Sequence, residues 1–174
     1  MIFLLSGASH TGKTTIAQKL MEETNISFFF IYHLKMGLIR SGYTSFTPED
    51  DQSLTTYLWP VIKGIIKTAI ENHQNLIIEG CYIPFDWKKD FEPCYLAEIR
   101  YYCIILSSSY IRKNFEKIQK YACVSEQRIE NAFCIAEALE QNRHSFIQCK
   151  KHHLPYILIH KTYSIKDIVE TIQL

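Results

Sequence analysis

Residues 7 to 14 read Gly7-Ala8-Ser9-His10-Thr11-Gly12-Lys13-Thr14, two glycines closing a short interval that ends in lysine and a hydroxyl. No other stretch restricts the fold as strongly, because its neighbours must then fall in a fixed order. The run before it, Ile2-Phe3-Leu4-Leu5, is apolar and short enough to be a buried strand. The run after it, Thr15 to Met21, places apolar residues at helical spacing. Strand, glycine-containing turn and helix N-terminus together describe a phosphate-binding loop. The glycines let the backbone turn tightly and aim successive N–H groups at anionic oxygens, while the lysine reaches the outer phosphates and the hydroxyl ligates Mg²⁺. The candidate nucleotide-binding residues are therefore Gly7, Ala8, Ser9, His10, Thr11, Gly12, Lys13, Thr14 and Thr15, with Lys13 expected to point into an open, solvated site.

Composition bounds what surrounds this loop. A chain of 174 residues with 47% hydrophobic and 13% aromatic content makes one domain with an ample core. Nineteen basic against eighteen acidic residues, a formal charge of +1, argue against a broad polyanion-binding face, so nucleic acid is not an expected partner. No apolar run approaches a membrane span and no basic stretch precedes a longer apolar one, which points to a cytoplasmic protein without a membrane partner. The six cysteines form no C-x-x-C pair, so reduced thiols are expected and a zinc site is not.

Along the chain, Ile26 to Leu34 carries a continuous aromatic and β-branched run, as a doubly buried second strand would. Its exit, His33 to Gly42, reads as a short helical turn that sets Arg40 beyond the strand's carboxyl end, where open α/β sheets bind ligands. Thr47-Pro48-Glu49-Asp50 has the signature of a helix start: a hydroxyl N-cap, proline at the first position and carboxylates in the first turn. The helix that follows, with an apolar stripe from Leu54 to Ile70, contains Pro60 and is expected as one kinked piece or two. Asn75 to Gly80 is a third strand that delivers Glu79 to the sheet's carboxyl end. There Glu79 either faces a phosphate-bound Mg²⁺ or is held by backbone amides. The aromatic loop Cys81 to Trp87, with Tyr82 and Asp86, is a candidate wall of an acceptor pocket. Arg100 to Leu106 is a fourth strand, followed by a helix with Arg112 and Lys113. A long amphipathic helix spans Ser125 to about Lys151 with Arg128 near its start, and a fifth strand (Pro155 to Ile159) and a closing helix (Ser164 to Ile172) complete the chain.

Strands separated by helices imply a parallel sheet covered on both faces. With Gly7 to Thr14 leading the first helix, the chain resembles the P-loop small-molecule kinases, a group that includes nucleoside monophosphate, shikimate and gluconate kinases and 2-phosphoglycerate kinase. Leu38-Ile39-Arg40 is similar to the adenylate kinase segment whose arginine holds the acceptor's phosphate, and Ile78-Glu79-Gly80 with Pro84 resembles that family's Asp-Gly-x-Pro stretch. The resemblance implies a three-layer P-loop fold with a five-stranded parallel sheet, an acceptor-binding segment at about 33–72 and a short lid at about 107–130. It implies transfer of the γ-phosphoryl group of ATP, with Mg²⁺, to a small anionic metabolite. Catalytic roles would fall to Lys13, Glu79, Arg112 and Arg128, acceptor contacts to His33, Arg40, Tyr82 and Asp86, and the metal to Thr14 and Glu79. Two departures bear on substrate. Tyr32-His33 stands where hydroxyl-phosphorylating members often carry an aspartate, and Phe85 follows Pro84 where adenylate kinases carry arginine. The alternatives are a nucleotide or sugar-nucleotide kinase and, from another class, a nucleotide-dependent switch.

Overall fold

β1 (Ile2–Gly7) is buried along its whole length, and its two faces decide the layering of the molecule. Side chains alternate across a strand. Accordingly Ile2 and Leu4 enter one hydrophobic core and Phe3 and Leu5 enter a second on the other side of the sheet. A strand buried on both faces needs helices above and below it. The computed structural model, which describes residues 1–125 and 133–172 with the side chains of 122–125 left aside, supplies both layers.

After β1 come α1 (Lys13–Thr24), β2 (Phe28–Phe30), α2 (Ile31–Arg40), α3 (Asp51–Glu71) and β3 (Leu76–Glu79). A 3₁₀ turn (Trp87–Asp90), α4 (Pro93–Leu96), β4 (Ile99–Leu106), α5 (Ser108–Ser125), α6 (Ile135–Lys151), β5 (Tyr156–Ile159) and α7 (Ile165–Thr171) complete the described chain. The five strands form one parallel sheet in the order β2-β3-β1-β4-β5. Buried residues of α1, α5 and α7, among them Ile16, Leu20, Ile111 and Ile168, cover one face. The α3 stripe of Leu54, Leu58, Ile62 and Ile66 covers the other, together with Trp87 and Cys149, in one core with Tyr101 of β4. The expected three-layer α/β architecture with a five-stranded parallel sheet is thus present.

Several boundaries differ from the sequence expectation, each for a local reason. The second strand is three residues long and the backbone turns helical at Ile31, so the second half of the Ile26 to Leu34 run, from Ile31 on, belongs to a helix buried through Ile31 and Lys35. An unbroken apolar run cannot by itself separate a doubly buried strand from a helix that inserts into the core. Thr47 does not cap α3. Its N–H and hydroxyl both donate to Asp50 (2.7 and 3.0 Å), which makes a separate turn, and the helix starts at Asp51. Pro60 lies inside a single 21-residue helix. Pro60 and Thr56, whose carbonyl loses its partner, are both exposed, so water can take that bond. α5 carries a break at Asn114, whose φ of −122° is non-helical. α6 begins at Ile135, with Cys134 as N-cap, rather than at Ser125.

Two features fix the sheet's carboxyl edge. Buried Asn142 of α6 accepts the Leu106 N–H at 2.8 Å and donates to the Ala138 carbonyl at 2.8 Å, which ties the end of β4 to its covering helix. The Ser107 N–H donates to the Ile159 carbonyl at 2.9 Å, holding the exits of β4 and β5 together. β1 leads to β2 on one side of the sheet while β4 and β5 lie on the other, so the loop after β1 sits where the strand order reverses. A crevice opens there in open α/β sheets.

Candidate functional site

The loop between β1 and α1 is built from glycine geometry. Gly7 has φ +140°, and a Cβ there would lie 2.4 Å from the Ile104 carbonyl oxygen, so only glycine lets β1 run this close to β4 as it turns. Gly12, the N-cap of α1, has φ +81°, and a Cβ on it would meet the Tyr163 hydroxyl at 2.0 Å. The Ala8 carbonyl organises the interior of the loop, accepting from the Thr11 hydroxyl at 3.0 Å and the Lys13 ammonium at 2.7 Å. Lys13 is therefore buried within the loop, where an open, solvated position was expected. The Thr14 hydroxyl donates to Glu79 Oε2 at 3.0 Å, joining the first turn of α1 to the end of β3. Glu79 is itself buried.

A cleft of about 800 Å³ opens over this loop, and the strand order divides its walls. On the β2–β3 side stand Phe30, Tyr32, Glu79, Cys81 and Tyr82. On the β4–β5 side α5 contributes Tyr110, Asn114, Lys117, Ile118 and Tyr121, and the segment after β5 contributes Lys161, Thr162 and Tyr163. The loop itself lines the floor from Ser9 to Thr15, with Gly7 and Ala8 shaping it from beneath. Burial pushes the Tyr163 phenol well above its ordinary pKa, with Tyr110 adding to the effect, so it stays protonated and donates to the Thr11 carbonyl at 3.0 Å. His10 packs its ring against Phe133 with centroids 4.0 Å apart.

Of the residues picked out in the sequence, the loop residues, Glu79 and Tyr82 meet at this cleft. Arg40 does not: it ends α2 and is exposed. α2 starts directly at the end of β2, so at 1.5 Å per residue Arg40 lies about 13 Å further along the helix axis. His33 is exposed on the same helix, its ring edge against Phe30 with centroids 4.8 Å apart. Asp86 pairs with Lys89 beyond the cleft wall, and that ammonium lowers its carboxyl pKa. Arg112 is exposed because α5 presents Tyr110, Asn114, Lys117, Ile118 and Tyr121, which share one helical face, to the cleft. Arg128 and the end of the expected lid lie outside the described residues.

Four functional candidates went unnoticed in the sequence. Lys117, Lys161 and Tyr163 sit on elements whose approach to the loop is decided by strand order. Lys35 is the fourth: it is buried, its ammonium donates to the Tyr82 hydroxyl at 2.7 Å and the Pro48 carbonyl at 3.2 Å, and it lies 5.3 and 5.1 Å from the Tyr32 and Tyr82 ring centroids. Tyr82 in turn donates to Asp51 Oδ1 at 2.7 Å. A buried ammonium requires such partners, and this set ties α2, the turn before α3, the start of α3 and the β3 loop into one wall. The one available signal was the four-residue spacing of Lys35 from Ile31, which puts both on the inward face of α2.

The Thr14 hydroxyl and Glu79 carboxylate are hard oxygen donors. They fit a Mg²⁺ ion that takes its remaining ligands from phosphate and water. Among the described residues no cluster of three or more His, Cys, Asp or Glu side chains could hold a metal unaided. The five described cysteines are free thiols. No described helix is long and apolar enough to cross a membrane.

No protein-family model matches the sequence, and no curated protein matches it as a relative. Solved structures match its fold along almost the whole chain. A deoxyadenosine kinase from M. mycoides superposes with a TM-score of 0.58 at 13% identity, covering 99% of this chain and 96% of its own. A gluconokinase from Sinorhizobium meliloti gives 0.56 at 10% identity over 97% and 86%. A shikimate kinase from Aquifex aeolicus gives 0.53 at 16% identity over 99% and 93%. The chain therefore has the fold of the P-loop small-molecule kinases.

Proposed function

We propose that this chain is an ATP-dependent phosphotransferase that moves the γ-phosphoryl group to a hydroxyl of a small molecule. The observation that carries this reading is the Thr14–Glu79 hydrogen bond, because it puts the loop's metal-ligating hydroxyl and a buried carboxylate at one point of the cleft. In a loop of this kind the lysine and hydroxyl serve the outer phosphates. The reacting end of the nucleotide then faces β3, and the nucleoside extends over Thr11 and Gly12 toward Lys161, Thr162 and Tyr163. The space walled by Phe30, Tyr32, Glu79 and Tyr82 is left for the acceptor.

Phosphoryl transfer asks little covalent chemistry of a protein and much positioning and charge stabilisation. The loop N–H groups and Lys13 would hold the phosphates, and Lys117, which lines the cleft from α5, would serve them in place of the exposed Arg112. Mg²⁺, when bound, supplies charge neutralisation at the transferred group, and Thr14 and Glu79 are the residues that would hold it. Glu79 also borders the acceptor space, so its carboxylate can orient the attacking hydroxyl or accept its proton. Arg128 is retained as a candidate lid arginine. An anionic group on the acceptor would need a partner other than Arg40, so the hydroxyl is the feature of the substrate on which the proposal stands. A nucleoside or sugar acceptor, as the names of the similar kinases suggest for those proteins, suits this space as well as a hydroxy acid.

The test is product analysis by phosphorus NMR after incubation with MgATP and a panel of sugars, nucleosides and hydroxy acids. A new phosphate ester supports the proposal. Release of inorganic phosphate with every compound, and ester with none, favours a slow nucleotide hydrolase or switch.

A further inference from the structure

The β5 loop and the phosphate loop meet at one side chain. The Tyr163 hydroxyl donates to the Thr11 carbonyl at 3.0 Å, and the same oxygen lies where a Cβ on Gly12 would come within 2.0 Å of it. The phenol therefore rests directly on the Thr11–Gly12 peptide while also lining the cleft. A trans peptide directs its N–H opposite to its C=O. Holding the Thr11 carbonyl thus fixes the direction of the Gly12 N–H, one of the amides that a loop of this class offers to phosphate. Gly12 is the position that most needs an external restraint: it is left-handed (φ +81°), has no side-chain cap, and as glycine is free to adopt other conformations.

We infer that Tyr163 is a positioning residue that sets the phosphate loop in its anion-binding conformation from the far side of the cleft. The inference rests on the phosphate-site reading above and adds a specific consequence. A ligand on the nucleoside side touches the same phenol that orients the loop, so contacts on that side are coupled to phosphate affinity through one hydrogen bond. A phenol that served only as a nucleoside contact would have no effect on a ligand consisting of phosphate alone.

The variant to make is Tyr163→Phe, which keeps the ring and removes the hydroxyl. The probes are inorganic pyrophosphate and ADP, each with Mg²⁺, titrated by calorimetry against the full chain, with thermal melts run in parallel. The expected result is a loss of affinity by a similar factor for both probes, about 2- to 10-fold as for one hydrogen bond, with a melting temperature lowered by only about 2–4 °C. Weakened ADP binding with unchanged pyrophosphate binding would overturn the inference in favour of a nucleoside contact. Unchanged binding of both probes would overturn it outright. If the unsubstituted protein binds neither probe, the phosphate-site reading fails and the inference falls with it. That outcome is seen before any variant is measured.

Discussion

Lys13 is buried and its ammonium donates to the Ala8 carbonyl, so replacing it removes a charge and a loop contact together. Lys13→Ala is expected to lower phosphoryl transfer by about 10²- to 10³-fold, the usual range for deleting one preorganised charge-stabilising group. It should also cost about 1 kcal/mol of stability from the lost bond. A transfer assay read beside a urea titration checks both. Glu79→Gln is nearly isosteric and can still accept from Thr14. Nucleotide affinity should therefore stay within a few-fold while turnover falls about 10²-fold or more if the carboxylate serves the metal or the acceptor hydroxyl. A lower stability with an unchanged rate would mark Glu79 as merely a hydrogen-bonded strand end. At Arg40 the structure reverses the expectation that its position suggested. The side chain is exposed and off the cleft, so Arg40→Lys should leave the Michaelis constants for ATP and acceptor unchanged and stability within about 0.5 kcal/mol. The loop and Glu79 were legible because their chemistry is local: a glycine turn before a helix, and an acid closing a strand. Arg40 was not, because its reach depends on where α2 begins, and a shift of a few residues decides which side chain faces the cleft.

The elements that wall the acceptor side depend on one buried polar set. Tyr82→Phe keeps the ring but deletes the donor to Asp51 and the acceptor for Lys35. It should destabilise the protein by about 1–3 kcal/mol, because a buried charge and a carboxylate each lose a partner. Equilibrium urea unfolding with an unchanged slope would show that the loss is one of stability rather than of cooperativity. α3 offers a change in the opposite direction. Pro60 is exposed inside a continuous helix, and Pro60→Ala restores a backbone donor to the Thr56 carbonyl. A gain of about 1–3 kcal/mol is expected, measurable as a higher urea midpoint. Sequence periodicity identified α3 and its inward stripe well. It overextended β2 because Phe28 to Tyr32 suits a buried strand and an inserting helix alike, and it misplaced the start of α3 because Thr47 and Asp50 satisfy each other rather than the helix.

For the molecule as a whole, a cleft lined from both halves of the sheet makes ligand binding a global constraint. A non-hydrolysable ATP analogue with Mg²⁺ at about 100 times its dissociation constant should add roughly 2.7 kcal/mol, a rise of about 5–10 °C in melting temperature. The strand order has a further consequence, for self-association during synthesis. The longest strands, β1 and β4, lie inside the sheet, while its margins are the three-residue β2 and the four-residue β5. Short margins present few unpaired amides to another chain. The protection is complete only late, because β1 pairs through Ile2 with Leu76 on one side and with Ile99 on the other, both far downstream. Until β4 is made, the apolar β1 keeps one long edge open, which is the circumstance in which slow parallel sheets aggregate. The finished protein should therefore resist strand-to-strand clumping, whereas chains released before residue 99 should collect in inclusion bodies.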